Sequence, residues 1–179
     1  MLAADHAGSR ERRYCPAVSD AQRTRGFIPW TKVDARLQAL REIWVASASP
    51  NGRADAVPVW FWWDGSSAYF TTKAHSRKAL NIARQPSVTL HNGDGADPII
   101  LKGDAEVVTE HDELERLDRA YASKYVDPGS GARATIFVEG DVAFRVRPRI
   151  VMAWEYATCS NRTEWRFDAS VPAPAGVGA

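Results

Sequence analysis

The chain has 179 residues, a net charge of +1 at pH 7 and no apolar run long enough to cross a bilayer, which predicts one soluble domain with a sizeable core. The balanced charge gives no reason to expect a nucleic-acid or membrane partner, and the cytoplasm is the expected location. The 2 cysteines and 4 histidines lack metal-ligand spacing, so we expect no metal site and free thiols.

The two ends of the chain differ in composition from its centre. Residues 1–26 contain five arginines and no apolar periodicity, which predicts a flexible arm, or alternatively an arm docked on a partner subunit. Residues 169–179 are rich in Pro, Gly and Ala and are predicted to be a flexible tail. The folded domain is therefore expected to comprise residues 27–168.

The first predicted elements are a short helix and a hairpin. Thr31 and Asp34 have the spacing of a capping box, which predicts an amphipathic helix that ends near Arg41. Residues 43–49 are predicted to form a strand, and a Pro-Asn-Gly turn leads into a second strand over residues 53–63.

The second strand is unusual because residues 56–63 are apolar at nearly every position. This pattern is typical of a strand covered on both faces, or of one whose second face meets a flat ligand or another subunit. Pro58 cannot donate a ladder hydrogen bond, so it predicts an edge, a bulge or a ligand at that point. Asp64-Gly65 then predicts a tight turn into the partner strand, residues 68–72.

A candidate anion site follows this hairpin. Ser76 is predicted to be the N-cap of a helix whose first turn contains Arg77 and Lys78. Free backbone N–H groups, the helix dipole and two cations together favour a phosphate, although two solvated cations are the alternative. The apolar stripe of this helix is predicted to comprise Ala79, Ile82 and Ala83.

The remaining pattern is of short strands with one more helix. Residues 110–125 are predicted to be helical, with Tyr121 and Tyr125 on the apolar face. Gly103 indicates a bulge or bend inside the long strand 98–109. The other predicted strands are residues 87–91, 134–146, 149–156 and 163–167. The pattern predicts a mainly β fold, an antiparallel barrel of about six strands with three peripheral helices, and it contains no dinucleotide, P-loop or hydrolase motif.

Four short motifs, in this order, carry a family resemblance. They are V-P-V-W-F from residue 57, D-G from residue 64, F-T-T from residue 70 and S-R-K-A-x-N from residue 76. Residues 31–154 resemble the flavin- and deazaflavin-binding branch of the pyridoxamine 5'-phosphate oxidase-like split β-barrel superfamily. The resemblance implies a six-stranded antiparallel split β-barrel of the FMN-binding type and a homodimer with the cofactor in a groove between protomers.

The resemblance also implies which residues contact the cofactor. The residues that match the ring-binding strand, the strand end beside the phosphate and the phosphate motif are Pro58, Val59, Trp60, Phe70, Thr71, Ser76, Arg77 and Lys78. Lys73 is a further candidate, together with Arg53 or the arginine-rich arm, for the acidic tail of a deazaflavin. Asp55 and Trp60 stand where pyridoxamine phosphate oxidases proper have basic residues, which argues against oxidation of vitamin B6.

The implied function is an oxidoreductase that uses bound coenzyme F-420 or FMN for hydride transfer to a small organic substrate. The alternatives are a non-catalytic flavin- or haem-type binding protein and a pyridoxamine 5'-phosphate oxidase. The residues themselves indicate no catalytic group, because the histidines are isolated and no Ser/His/Asp or Cys/His set can be assembled. We therefore expect the cofactor to supply the chemistry.

Overall fold

The computed structural model describes residues 12–13, for which it gives the backbone alone, and residues 27–156 and 161–167. Apart from residues 12–13, the predicted arm lies outside the described residues, and so does the predicted tail. None of the helices in the described ranges has the length and apolar character that crossing a membrane requires.

The described residues form three helices and eight strands. The helices are α1 (Trp30–Ala39), α2 (Arg77–Arg84) and α3 (His111–Lys124). The strands are β1 (Arg12–Arg13), β2 (Glu42–Ala48), β3 (Ala54–Trp63), β4 (Ala68–Lys73), β5 (Ser87–His91), β6 (Ile99–Val107), β7 (Asp141–Ala153) and β8 (Thr163–Arg166).

Six of the strands close into an antiparallel barrel. The pairing runs from β2 to β3, β4, β7, β6 and β5, and β5 pairs again with β2. β8 pairs with the C-terminal part of β7, residues 150–153, and β1 pairs with β8. This closed barrel with peripheral helices confirms the predicted fold class, and each of its six strands has a partner on both sides over at least part of its length.

Local sequence signals explain most of these elements. The turns before and after β3 contain Gly52 and Gly65 at φ 81° and 93°, a backbone conformation that glycine adopts without strain. Alternating residues of β2, such as Ile43 and Val45, are buried, while the residues between them are more exposed. The barrel interior is filled by the inward set of every strand, with Phe61 among its largest fully buried side chains.

A second, smaller apolar cluster lies between α3 and the outside of the barrel. Its members are Tyr69, Val108, Leu117, Tyr121, Tyr125, Ile136 and Ala143. The face predicted for the helix over residues 110–125 is therefore the face that packs. α3 lies across β3 and β4 through this cluster.

The start of α1 differs from the prediction. Pro29 is its N-cap and no side chain caps the helix, so the capping box predicted from Thr31 and Asp34 is wrong. Asp34 accepts hydrogen bonds from Trp63 Nε1 at 2.7 Å and from Gln38 Nε2 at 2.9 Å instead. A tertiary contact thus takes the carboxylate that the local pattern assigned to the cap.

The last part of the barrel also differs. Two strands were predicted, over residues 134–146 and 149–156, with a break at Pro148. This prediction is wrong, because one strand, β7, continues from Asp141 through Pro148 to Ala153. Pro148 is tolerated there because it lies opposite Gly103, where the β6–β7 register shifts. That shift confirms the bulge predicted at Gly103.

The buried face of α2 is also shifted from the predicted stripe. Ala79 and Ile82 are buried as expected, but Ala83 is exposed and Asn81 is buried in its place. Asn81 Nδ2 donates to Ser47 Oγ at 3.1 Å, and this hydrogen bond makes burial of the amide tolerable.

Candidate functional site

The candidate site begins where β3 changes partners. Residues 54–60 of β3 pair with β2, whereas residues 61–63 pair with β4. β4 pairs with β7 along its whole length. Residues 54–60 and 71–73 therefore face each other across a gap in the barrel wall, where their backbone groups need partners from elsewhere.

A cleft of about 360 Å³ lies in this gap. β3 contributes Pro58, Val59 and Trp60, and β4 contributes Thr71, so four of the predicted site residues meet here. The other lining residues are Tyr121, Ala134, Thr135 and Asp141.

The hydroxyl of Tyr121 lies at the closed end of the gap. It donates to the Trp60 carbonyl at 2.8 Å and lies 3.4 Å from the Tyr69 carbonyl. Burial, followed by the nearby Tyr125 hydroxyl, raises the pKa of Tyr121, and a hydrogen bond from the Thr71 backbone only partly opposes this. The phenol therefore stays protonated and acts as a hydrogen-bonding group between the two strands.

Trp60 provides an aromatic wall beside the cleft. It is 52% exposed, and its ring is stacked on Tyr125 with centroids 4.6 Å apart and planes 4° from parallel. Tyr125 is itself fixed, because its hydroxyl lies 2.8 Å from Phe61 N and 2.6 Å from Phe61 O. The indole thus keeps one orientation while part of it remains open to a ligand.

Lys124, the last residue of α3, brings a half-buried cation near this stack. Burial, followed by the Arg41 charge, lowers the pKa of Lys124 to about 8. Its Nζ donates to the Phe61 carbonyl at 2.8 Å and lies 4.4 Å from the Phe61 ring centroid. The ammonium is committed to that carbonyl and does not line the cleft, so it joins the helix to β3.

A second cavity, of about 470 Å³, lies at the other end of the same strand. Ala54 and Asp55 line it, together with Arg53, Arg77 and Arg84. None of these three arginines forms an ion pair with another residue in the described part of the chain. Three arginines and one aspartate leave a net charge of +2, which attracts anions. The other lining residues are Ser49, Pro50, Asn51 and Asn81.

One face of α2 lines this arginine cavity through Arg77, Asn81 and Arg84. Ser76 is the N-cap, as predicted, and its Oγ accepts a hydrogen bond from Ala79 N at 3.3 Å. Thr72 Oγ1 lies 3.2 Å from Ser76 Oγ and ties the cap to β4. Arg77 is the first helical residue, so its cation and the positive end of the helix dipole lie together.

Both cavities border the same strand, β3. Asp55 lines the arginine cavity and Pro58 lines the cleft, and three residues of extended strand span about 10 Å. This separation suits one molecule with a flat ring system at one end and an anionic group at the other.

Four predicted site residues line neither cavity. They are Ser76, which caps α2, and Phe70, Lys73 and Lys78. Phe70 is fully buried in the barrel core, where it pairs with Phe61 and Phe144, and it does not line the cleft. Lys73 Nζ lies 2.7 Å from Asp141 Oδ1, so much of its charge is already neutralised. Lys78 is partly buried on α2 and lines neither cavity.

Sequence reasoning missed several residues that the fold brings to the site. Tyr121 had a signal, since it was predicted on the packed face of α3, but its distance from β3 could not be known. Arg84 is the last residue of α2, whereas the anion site was predicted at the first turn of that helix. Thr135 and Asp141 had no signal, because the loop that places them beside β3 has no local pattern. Within the described residues, no group of three or more His, Cys, Asp or Glu could hold a metal ion.

Three solved structures share this fold. A conserved hypothetical protein of Mycobacterium tuberculosis is 21% identical, with a TM-score of 0.62 over 85% of this chain and 94% of its own. A pyridoxamine 5'-phosphate oxidase-related, FMN binding protein of Nostoc punctiforme is 17% identical, with a TM-score of 0.51 over 82% of this chain and 98% of its own. A protein described as an F420 reductase is 21% identical, with a TM-score of 0.51 over 66% of this chain and 94% of its own.

A comparison with protein families gives a match at the level of sequence. A search of curated proteins found no match. The family model described as pyridoxamine 5'-phosphate oxidase matches residues 30–149, which include α1 to α3 and most of the barrel. The chain therefore belongs to the pyridoxamine 5'-phosphate oxidase family, and it shares its split β-barrel fold with the FMN binding protein and the F420 reductase.

Proposed function

We propose that the protein is an oxidoreductase that binds FMN or the deazaflavin coenzyme F-420 and acts on a small organic substrate. The observation that carries this proposal is that one strand borders both an open cleft beside Trp60 and a cavity with three arginines that form no ion pair within the described residues. The bound cofactor would supply hydride transfer. The chain itself would orient the ring, hold the anionic tail and exclude water from the cleft.

The cleft suits the polar edge of a tricyclic ring. The Trp60 carbonyl faces β4, since Tyr121 binds it, and backbone groups of alternate residues point to the same side of a strand. The Trp60 N–H and the Pro58 carbonyl therefore face the gap as one donor and one acceptor. Thr71 adds a hydroxyl from the opposite strand. Such a row of donors and acceptors can pair with the pyrimidine edge of a flavin or deazaflavin.

The arginine cavity suits a phosphate group. Guanidinium groups bind phosphate oxygens in pairs, and Arg77 adds the helix N-terminus to this interaction. The net charge of +2 balances one phosphate dianion. The longer acidic tail of F-420 would need further cations, which Lys73 supplies poorly because it is paired with Asp141. The five arginines of residues 1–26 are the remaining source.

A homodimer with the cofactor at its interface is part of this proposal. Trp44 and Trp60 lie on the same outer face of β2 and β3, 38% and 52% exposed, with Pro58 opposite Trp44. A patch of large apolar side chains on an outer sheet face is typical of a protein interface. Pro58 and Trp60 also line the cleft, so a second copy on this face would cover a bound ring.

One observation favours a second candidate, a carrier or sensor that binds the cofactor without turnover. Among the residues that line the cleft, the titratable side chains are Tyr121 and Asp141. Burial raises the pKa of the Tyr121 hydroxyl, so this group is a poor proton donor near neutral pH, and the Asp141 carboxylate is paired with Lys73. Tight cofactor binding with no reduction of any acceptor would favour this candidate.

The proposal is tested by titrating the purified protein with FMN and with F-420 while following tryptophan fluorescence. We expect quenching, because Trp60 borders the cleft. Arg77→Ala should weaken binding about 10- to 100-fold, the equivalent of a charge-assisted hydrogen bond. Lys102→Ala, an exposed lysine outside both cavities, is the matched control and should leave the affinity unchanged. If neither FMN nor F-420 quenches the tryptophan fluorescence, the proposal is wrong.

The choice between the two cofactors is tested at the arginine-rich arm. Replacing its five arginines by glutamine should weaken F-420 binding and leave FMN binding nearly unchanged, because FMN ends at the phosphate. Lys73→Met should have the smaller effect on F-420, since Asp141 already neutralises that ammonium. An equal loss of both cofactors in the arm variant would contradict this assignment.

A further inference from the structure

Strands β3 and β4 stop pairing although both of them continue. Phe61 pairs with Phe70, and one more step in the same register would pair Trp60 with Thr71. Both of these residues lie inside their strands, in extended backbone. Strand length therefore does not explain why the ladder ends at this step.

The hydroxyl of Tyr121 occupies the place of the missing ladder bond. It donates to Trp60 O at 2.8 Å, which is the acceptor that a Trp60–Thr71 pair would use, and it lies 3.4 Å from Tyr69 O of β4. It thus contacts both strands beside the step where they would next pair. Tyr121 is only 2% exposed and packs in the cluster between α3 and the barrel, so its ring cannot swing away.

Pro58 keeps the gap open from its other end. Pro58 and Trp60 are two residues apart, so their backbone groups point to the same side, and the missing N–H of Pro58 lies toward β4. If β3 and β4 continued to pair, the backbone acceptor opposite Pro58 would have no donor. Pairing beyond Trp60 therefore adds few hydrogen bonds, and the Trp60–Thr71 step determines whether the two strands separate.

We propose that Tyr121 is a positioning residue whose hydroxyl acts as a wedge, keeping β3 and β4 apart so that the cleft admits the cofactor ring. The inference rests on the proposed function for the identity of the ligand. It does not rest on that function for the state of the strands, which can be measured in the protein without ligand.

The test is amide hydrogen exchange and FMN titration of the full-length protein, as wild type, Tyr121→Phe and Tyr69→Phe. In the wild type, the Trp60 amide should exchange much faster than the Trp62 amide, which pairs with Tyr69 across the ladder. In Y121F, the Trp60 carbonyl is free to accept from Thr71. The Trp60 amide should then exchange about tenfold more slowly and FMN should bind about tenfold more weakly.

Y69F is the control, because Tyr69 is as buried a residue as Tyr121 and its hydroxyl hydrogen-bonds to Glu113, away from the cleft. It should lose stability but keep the wild-type Trp60 exchange rate and FMN affinity. Unchanged exchange and affinity in Y121F would overturn the wedge, and so would equal protection of Trp60 and Trp62 in the wild type. That wild-type comparison decides the matter if Y121F does not fold. Wild-type protein that binds neither cofactor would defeat the proposed function, while the exchange rates would still test the wedge.

Discussion

Gly103 shows how one small residue permits the barrel to close. A Cβ atom built at this position would lie 2.3 Å from the Arg147 carbonyl oxygen, which is closer than any real contact. Gly103 lies opposite Pro148 at the register shift between β6 and β7. Because Gly103 has no side chain, the backbones of β6 and β7 can approach each other closely at the bulge.

Gly103→Ala should lower the free energy of unfolding by about 2 kcal/mol, because the methyl group forces the β6–β7 backbones apart. Gly95→Ala is the matched control, since a Cβ at Gly95 meets nothing within 4 Å. Urea unfolding followed by circular dichroism measures both changes. Equal stabilities for the two variants would show that the strands yield without cost.

At the scale of elements, α3 braces the barrel at the point where β3 changes partners. Tyr121 binds the edge of β3 that faces β4, and Tyr125 binds the opposite edge through Phe61. Because these residues are four apart, both lie on the helix face that packs. The helix therefore sets where pairing with β4 ends, and with it the length of the cleft.

An ion pair holds the N-terminal half of α3 in place. Glu113 accepts two hydrogen bonds from Arg145 of β7, at 2.8 and 2.9 Å, and the two side chains are only 14% and 20% exposed. Tyr69 donates to the same carboxylate at 2.8 Å. Burial, followed by the Asp64 charge, raises the pKa of Tyr69 and keeps it a donor.

Glu113→Ala should destabilise the protein by about 2 kcal/mol, because it leaves a largely buried guanidinium and a phenol without their shared acceptor. Glu115→Ala on the same helix removes an exposed pair with Arg119 and should cost less than about 0.5 kcal/mol. Urea midpoints of the two variants give the comparison. A small effect of E113A would mean that Glu106, which also binds Arg145, suffices.

At the scale of the whole molecule, the outer face of β2 and β3 around Trp44 and Pro58 is one part that the described chain leaves exposed. Trp44 is held there in one orientation by stacking on His91, with centroids 6.0 Å apart, while Gly93 approaches its indole edge. An exposed but rigid tryptophan loses little entropy when it is buried against a partner. We therefore expect a second copy of the chain to cover this face.

Trp44→Lys should convert the proposed dimer into a monomer, because it places a charge in an apolar interface. Sedimentation velocity measures the change, and FMN affinity should fall with it if the partner covers the cleft. Val107→Lys replaces another exposed apolar residue, at the end of β6 outside the patch, and should leave the assembly intact. A monomeric wild-type protein would refute the interface.

Much of the architecture could be predicted from the sequence because it depends on neighbours in the chain. The glycines at positive φ in the turns around β3, the Ser76 cap and the packed face of α3 are set by local geometry. The cap predicted at Thr31 was wrong because Asp34 binds Trp63, a residue that no local pattern connects to it. The two strands drawn on either side of Pro148 were wrong because the bulge that tolerates this proline depends on β6.

By itself the sequence determined the mainly β barrel, the turns around β3, the Ser76 cap of α2, and the family to which its motifs belong. The tertiary structure alone decided that β3 changes partners at Trp60, that Tyr121 enters the gap, and that Arg53, Arg77 and Arg84 share one cavity. The physical reason is that dihedral preference and periodicity act over a few residues. A cleft arises where segments distant in sequence meet, and their meeting depends on the closure of the whole barrel.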